Sequence, residues 1–578
     1  MTRLFIDGKE VALQDGFELD FYTQNPFFTR NGDYTYDLDI DLNHPHNRRI
    51  YQSLNRSDIT QRPENRQAIL ICGAINIIRG TEIILSVEDN IAKIQIVAGN
   101  SELNYLSGGD KRLRELDFGT CDTSLETAYT SLNQAFPDMN FVCTPIFTSY
   151  DTSGNLRYFD NQMNITTGGA SFIQGTYISP QPYLLFYVEE LVKILGYKLQ
   201  KNTLRENKRW CRLFMVNGYR TTSFAKMLPD WSVDEFLDEI EKFFNCIFLV
   251  NQTDKTVQII NINSFYENSQ TICLEDIKDE DIIKKYDADE ELSVDYDNVE
   301  FDFPDIEDYK YSCINPEVLS LCTTKTYNRF LDVWPMLDSE FDKRYIYHTK
   351  DFNLDFVGVE INGFHRQRIV NRFSAVKNNS DGDITSLKII PAEIYAGVSG
   401  VSDGSFTNGA FTATYARNNN AVDETSNETG LNELIKEGIP EEEAPDKIYV
   451  ALYMGYQGLF VGAGEPTAQY KDYKLPMSAT DTYYYINTDN FNYLLKFQDE
   501  ELTLQLSGNQ GLYETFYKNN LKIDTRTEYQ FCFLAKQIYD PKSIFLIRNK
   551  RYFCKELHYI VEMNGLNDVV EGTFYLIE

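Results

Sequence analysis

Few residues in this chain stand at spacings that do chemistry. Its five histidines include one close pair, His44 and His46, which on a strand would share a face and could together meet a metal ion. Pro45 separates them and no third ligand follows at a fixed spacing, so the pair reads as a turn. His348, His365 and His558 stand alone and read as packed or surface imidazoles. The stretch "DADEELSVDYDN", from Asp287, begins with the carboxylate spacing of a calcium loop. Leu292 occupies the sixth position, where such a loop needs glycine, and Asn298 replaces the bidentate glutamate at the twelfth, so an EF-hand is rejected. No GxSxG elbow, HExxH pair, Walker loop or dinucleotide fingerprint occurs. Carboxylates are too plentiful for any one pair to nominate a glycosidase. The expectation is a protein that is not an enzyme, with no catalytic residue, cofactor or metal.

Charge narrows the partners. Lys and Arg number 54 against 87 Asp and Glu, a net of −33, which argues against stable binding of bare nucleic acid or of an anionic membrane. Residues 275–310 alone hold sixteen Asp or Glu against four Lys. Such a run reads either as a solvated face or loop, or as a negatively charged wall that repels a polyanion. The stretch "KLQKNTLRENKRWCR" is the reverse, with six Lys or Arg and one Glu. It reads as an exposed face, or as a partner for acidic surface on a neighbouring copy. Ten cysteines without a CxxC pair read as buried thiols of a protein made in a reducing compartment. The opening "MTRLFIDGKEVALQDG" lacks the apolar core of a signal peptide. No run approaches the roughly 18 apolar residues of a membrane span. A soluble protein without a membrane span, made without Sec export, is expected.

The elements that would position these residues are mostly strands. A length of 578 residues implies several domains, about three to five. With 39 Tyr and 38 Phe the composition leans to sheet or to large packed interfaces. "RLFIDGKEVAL" reads as a hairpin turning at Asp7-Gly8. "YTYDLDIDL" alternates, placing Tyr34, Tyr36, Leu38, Ile40 and Leu42 on one face and Asp37, Asp39 and Asp41 on the other. Residues 68–99 hold three strands punctuated by Gly73, Gly80 and a turn at Glu88-Asp89-Asn90, the pattern of a small barrel or sandwich. "YLLFYVEELVKILGYKL" is a helix closed by Gly196. "PDWSVDEFLDEIEKFFNCIFLVNQTDKTVQII" is a helix and two strands. Ser232 is its N-cap, Glu235 completes a capping box, and Trp231 and Phe236 staple the first turn. Residues 400–446 are turn-rich and poor in aliphatics, as in a peripheral insertion. In "RYFCKELHYIVEMNGLNDVVEGTFYLI", alternation puts Tyr552, Cys554, Glu556, His558, Ile560 and Glu562 on one face, with a turn beginning at Asn564-Gly565.

The division expected from these textures is a barrel-like β-domain over 1–110, a turn-rich connection over 111–180 and an α/β module over 181–265. An acidic, second barrel-like region over 266–399, a peripheral β region over 400–480 and a β-rich closing domain over 481–578 follow. The fold class is mainly β with α/β modules, α+β and multidomain.

This order of segments, carried by "LFIDGKEVAL", "YDLDIDLNHPHNRRIY", "SPQPYLLFYVEELVKILGYKL", "WSVDEFLDEIEKFFNCIFLVNQTDKTVQII" and "FHRQRIVNRFSAV", resembles the tail hub or baseplate hub proteins of bacteriophages, especially tail proteins of phages of Bacteroides-type hosts. The resemblance implies a structural virion protein made in the host cytoplasm. It implies a homotrimeric ring at the tip of the tail tube, small β-barrels that continue the tube, and contacts with other tail and baseplate proteins. DNA would pass through it only in transit. The peptidase or lysozyme segment of the enzyme-bearing versions is missing, which speaks against cutting of the cell wall. In a hub the acidic run would suit the channel wall, and alternation in "SVDYDNVEFDF" nominates Asp295, Asp297, Glu300 and Asp302, with a slip of register near Asn298. The competing reading is a host-receptor or glycan-binding tail protein, because exposed aromatics suit sugar stacking.

Overall fold

The computed structural model describes residues 1–59, 63–108, 111–150, 156–166, 169–267, 269–278, 283–286, 297–304, 319–337, 342, 344–351, 354–361, 364–370, 373–379, 382–400, 407–416, 447–458, 474–487, 492–497, 502–508, 510–519, 521 and 523–577. Strands dominate and helices are short, so the mainly-β, α+β class holds. The largest sheet has 14 strands and draws on both ends of the chain. Its N-terminal strands are β1 (Thr2–Ile6), β2 (Lys9–Val11), β3 (Glu18–Gln24), β4 (Asp33–Thr35), β5 (Leu38–Asp41), β6 (Arg66–Cys72), β7 (Ile75–Glu88) and β8 (Ile91–Ala98). The order runs β2-β1-β6-β7-β8-β4-β3 and continues through Lys550–Glu562, Leu566–Leu576, Thr527–Leu534 and Ile283–Tyr286. This path is open, and among the described residues no sheet closes into the small barrels expected. The reason lies at β3, whose second edge is taken by a C-terminal strand (Asp20 opposite Ile560, Tyr22 opposite His558) instead of returning to β1 or β2.

Local chemistry accounts for the turns. Asp7 and Gly8 both take positive φ (48° and 73°), as do Asp89 and Asn90 (47° and 68°), the left-handed pairs that match the twist of tight hairpins. Gly80 is different. It lies inside the unbroken strand β7, where a Cβ would collide with the backbone carbonyl of Val97 and the side chain of Ala98. This glycine permits close approach and does not punctuate a turn.

Two alternations break where the register slips. Leu38, Ile40 and Leu42 are buried as expected, but in β4 it is Thr35 that is buried, and Tyr36 is 51% exposed. Tyr34 pairs with Val97 while Leu38 pairs with Ile94, a one-residue slip that moves every side chain before it to the opposite face. In Lys550–Glu562 the register shifts between Cys554 and Glu556. Tyr552 and Cys554 therefore share the core with Leu557, Tyr559 and Val561, whereas Glu556 and His558 look outward.

One core fills the inner side of this sheet, with Leu4, Leu19, Phe21, Ile40, Leu70, Ile94 and Tyr559 among its members. A second, larger core gathers residues between Leu103 and Tyr517. The helices Leu184–Ile194 and Val233–Phe244 belong to it. Ser232 accepts the backbone N–H of Glu235 at 3.1 Å, Asn245 closes the second helix at φ 45°, and Trp231 and Phe236 are buried together at its start. The capping box is only half made, because the Glu235 carboxylate is drawn to Lys388 Nζ at 2.8 Å. The strands Cys246–Asn251 and Thr256–Asn261 pair antiparallel, and Lys198–Asn202 joins the latter in parallel as an outer strand.

Candidate functional site

The acidic run is described only in part. Asp295 lies outside the described residues. Asp297 leads into the strand Asn298–Phe301, which lies between Val376–Lys377 and Ile384–Leu387. Val299 and Phe301 are buried, while Glu300 and Asp302 are intermediate. Asn298 is buried too, next to Val299, so the alternation restarts there. Its side-chain amide donates to the carbonyls of Asn379 (2.7 Å) and Gly382 (2.9 Å), and its oxygen accepts the N–H of Asn379 (3.1 Å). Two of the acids meet cations from neighbouring segments. Glu300 Oε2 lies 3.6 Å from Lys377 Nζ, and Asp302 Oδ2 lies 2.7 Å from Lys447 Nζ. The surface here carries alternating signs along its described part.

A second acidic surface has a more specific construction. On the outer face of β3, Glu18, Asp20, Tyr22 and Gln24 stand opposite Glu562, Ile560, His558 and Glu556. His558 stacks on Tyr22 (centroids 4.4 Å apart, 7° between planes), and Tyr22 stacks on Tyr34 at 5.4 Å. Tyr36 meets Tyr22 edge-on at 5.0 Å. His558 Nε2 lies 2.7 Å from Asp20 and its Nδ1 3.5 Å from Glu571. Gln24 bonds Glu556, and Asn567 Nδ2 donates to Glu562 at 3.0 Å. Burial, with the carboxylates of Asp20, Glu556 and Glu571 nearby, pushes the Tyr22 phenol up to about 12, so it stays a neutral donor. Among the described residues no Lys or Arg forms an ion pair with Glu18, Asp20, Glu556, Glu562 or Glu571. The arrangement offers flat rings edged by hydrogen-bond acceptors, which suits a planar cation or a sugar ring.

Sequence reasoning left this face unfound. Glu18-Asp20-Tyr22 and Glu556-His558-Ile560-Glu562 are each visible as outward rows, but nothing local says that residues 20 and 560 pair. His44 precedes the helix Pro45–Ile50, and His46 Nε2 meets the Glu10 carbonyl at 2.7 Å. His348 Nδ1 bonds Asp355 at 2.7 Å across a strand pair, and His365 lies on the strand Phe364–Ile369. Among the described residues no three His, Cys, Asp or Glu gather as metal ligands. The buried ionic groups are internal ties. Glu82 accepts from Arg66 Nε (2.7 Å) and the Tyr51 hydroxyl (2.5 Å), and Glu102 holds Lys255 Nζ at 2.5 Å. Among the described residues no helix is long and apolar enough to cross a membrane.

No family model matches the chain, and no curated protein does. Among solved structures, the chain is similar to the 43 kDa tail protein of prophage MuSo2 from Shewanella oneidensis, at 7% identity and a TM-score of 0.28, covering 100% of this chain and 96% of that one. It is also similar to the tail protein from Neisseria meningitidis MC58, at 6% identity and a TM-score of 0.29, covering 99% and 95%. At these values the likeness carries no argument about what this chain does.

Proposed function

We propose that the chain is a structural virion protein of a phage tail, a hub at the distal end of the tail tube whose copies close into a ring and pass DNA during ejection. The observation that supports this best is the large sheet. It joins the two ends of the chain, stays open among the described residues at β2 and at Ile283–Tyr286, and presents a charged outer face suited to contact. Copies would assemble as a homotrimer beside other tail and baseplate proteins, with no enzymatic activity and no stable hold on DNA. The net charge of −33 fits a wall that DNA passes without sticking. An image of the virion in which antibody against this chain marks a ring on the tail axis supports the proposal. Label lying off the axis, or one copy per particle, sinks it.

A second reading, a receptor- or glycan-binding tail protein, is favoured by the half-exposed Tyr36 beside the Tyr22 stack. Titration of the purified chain with host surface saccharides separates the two. Saturable binding by a monomer favours this reading, and a closed oligomer without binding favours the hub.

A further inference from the structure

We propose that the acidic, aromatic outer face of β3 and Lys550–Glu562 docks onto the basic segment 198–208 of a second copy of this chain. The inference rests on the self-associating ring proposed above and names the surfaces that would meet. On the acidic side, Glu18 stands directly opposite Glu562, a like-charged cross-strand pair that disfavours the isolated sheet. Asp20 and Glu571 share the single imidazole of His558. Their side chains stay 49% and 66% exposed. The Tyr22–Tyr34–Tyr36 stack beside them offers ring surface to a cation.

On the basic side, the six cations of 198–212 are not equal. Arg205 is taken by Glu189, and Arg209 is buried, donating to the carbonyls of Thr503 and Gln510. Lys198, Lys201 and Lys208 are exposed, and none forms an ion pair among the described residues. Two of them lie on Lys198–Asn202, an outer strand of its sheet. Lysines on an edge strand also discourage unwanted strand pairing, and that role alone would leave assembly unchanged when their sign is reversed. The two patches have opposite sign and lie on different elements, and among the described residues neither the acids (with Lys or Arg) nor the three lysines form ion pairs on their own molecule. Contact between unlike patches of identical chains is head-to-tail, the kind that closes rings. Charge of this sort acts on encounter and register, so the contact should weaken with salt.

The test uses the full chain and measures its mass distribution in solution at 50 and 500 mM salt, with circular dichroism melts to verify folding. Lys198→Glu/Lys201→Glu/Lys208→Glu and Glu18→Lys/Glu562→Lys/Glu571→Lys should each raise the concentration at half assembly by about tenfold or more at low salt. The six-fold variant carrying both sets should assemble like the parent. If a triple variant melts early, the matching Gln set replaces it and should show a smaller shift in the same direction. Unchanged assembly in folded triple variants overturns the docking, as does failure of the six-fold variant to recover, and either result leaves the ring itself standing. A parent chain that is monomeric at every concentration overturns the ring reading and the docking together.

Discussion

Glu241 is where one proton has the clearest expected effect on this molecule. Its side chain is 16% exposed and 2.7 Å from Arg30 Nε, and the same arginine also holds Asp238. An adjacent guanidinium lowers a carboxylate's pKa, yet burial outweighs it and Glu241 is pushed up to about 7. Asp33, Glu82 and Asp160 move in the same direction, each with burial as the first cause. A carboxyl whose folded pKa exceeds its unfolded value binds more protons when folded between the two values, so stability falls as pH rises through that window. For Glu241 the window runs from the ordinary carboxylate range near 4.5 up to about 7. Glu241→Gln keeps the shape and removes the titration. Urea unfolding at pH 5 and pH 8 should show the parent losing, on the order of, 2–3 kcal/mol more than the variant between the two conditions. Parallel losses in the two proteins would show that Glu241 is ionised throughout.

At the scale of elements, β7 depends on the absence of one side chain. Gly80→Ala places a methyl against the Val97 carbonyl, where Gly80 pairs with Ala68 of β6 and the pairing with β8 begins at Thr81 and runs to Glu88. The strands must part or β8 must shift, which should cost about 1–3 kcal/mol, measured as a lowered denaturation midpoint at unchanged slope. Sequence reading takes Gly80 for punctuation because the residue type is the same in a turn and at a close approach, and only the neighbour decides. The same limit explains what else was legible. The helix Val233–Phe244, its Ser232 cap and the Trp231–Phe236 staple depend on residues within one or two turns of one another, and all are present. The faces of Tyr34, Tyr36, Tyr552 and Cys554 depend on single-residue slips that leave local composition unchanged, and there alternation misleads. Residues 418–446 lie outside the described residues, between the strands Thr407–Ala416 and Ile448–Gly458. Their composition predicts that a short Gly/Ser linker in their place leaves the melting temperature nearly unchanged, and a large drop would assign them to a core.

At the scale of the whole molecule, the two ends of the chain complete one sheet, and stability and function can be tested there separately. Residues 1–110 alone would leave β3 without Lys550–Glu562, exposing backbone donors and acceptors along its seven residues and removing core neighbours of Leu19 and Phe21 such as Tyr559 and Val561. That fragment should aggregate or fold weakly by itself. Co-expression with 524–578 should bring it into a soluble complex, and a monomeric, cooperatively folding 1–110 would contradict this. If the chain is the hub proposed above, the acidic run would bear on passage of DNA. Glu300 and Asp302 neutralise Lys377 and Lys447 as well as contributing charge, so replacing them by Lys would set like charges together and confuse repulsion with misfolding. Amides avoid this. Asp295→Asn, Asp297→Asn, Glu300→Gln and Asp302→Asn together remove four negative charges and release two lysines on the same surface. If this surface faces the channel, a phosphate backbone should be retained by the freed lysines and ejection slowed. The delay should be greatest near 10 mM salt, where the screening length is about 30 Å, and should fade near 150 mM, where it is about 8 Å. Virions carrying the four amides should assemble in normal yield and release DNA more slowly in a dye-uptake assay at low salt. Equal release rates at both salts, in particles of normal yield, would place the run away from the path of the DNA.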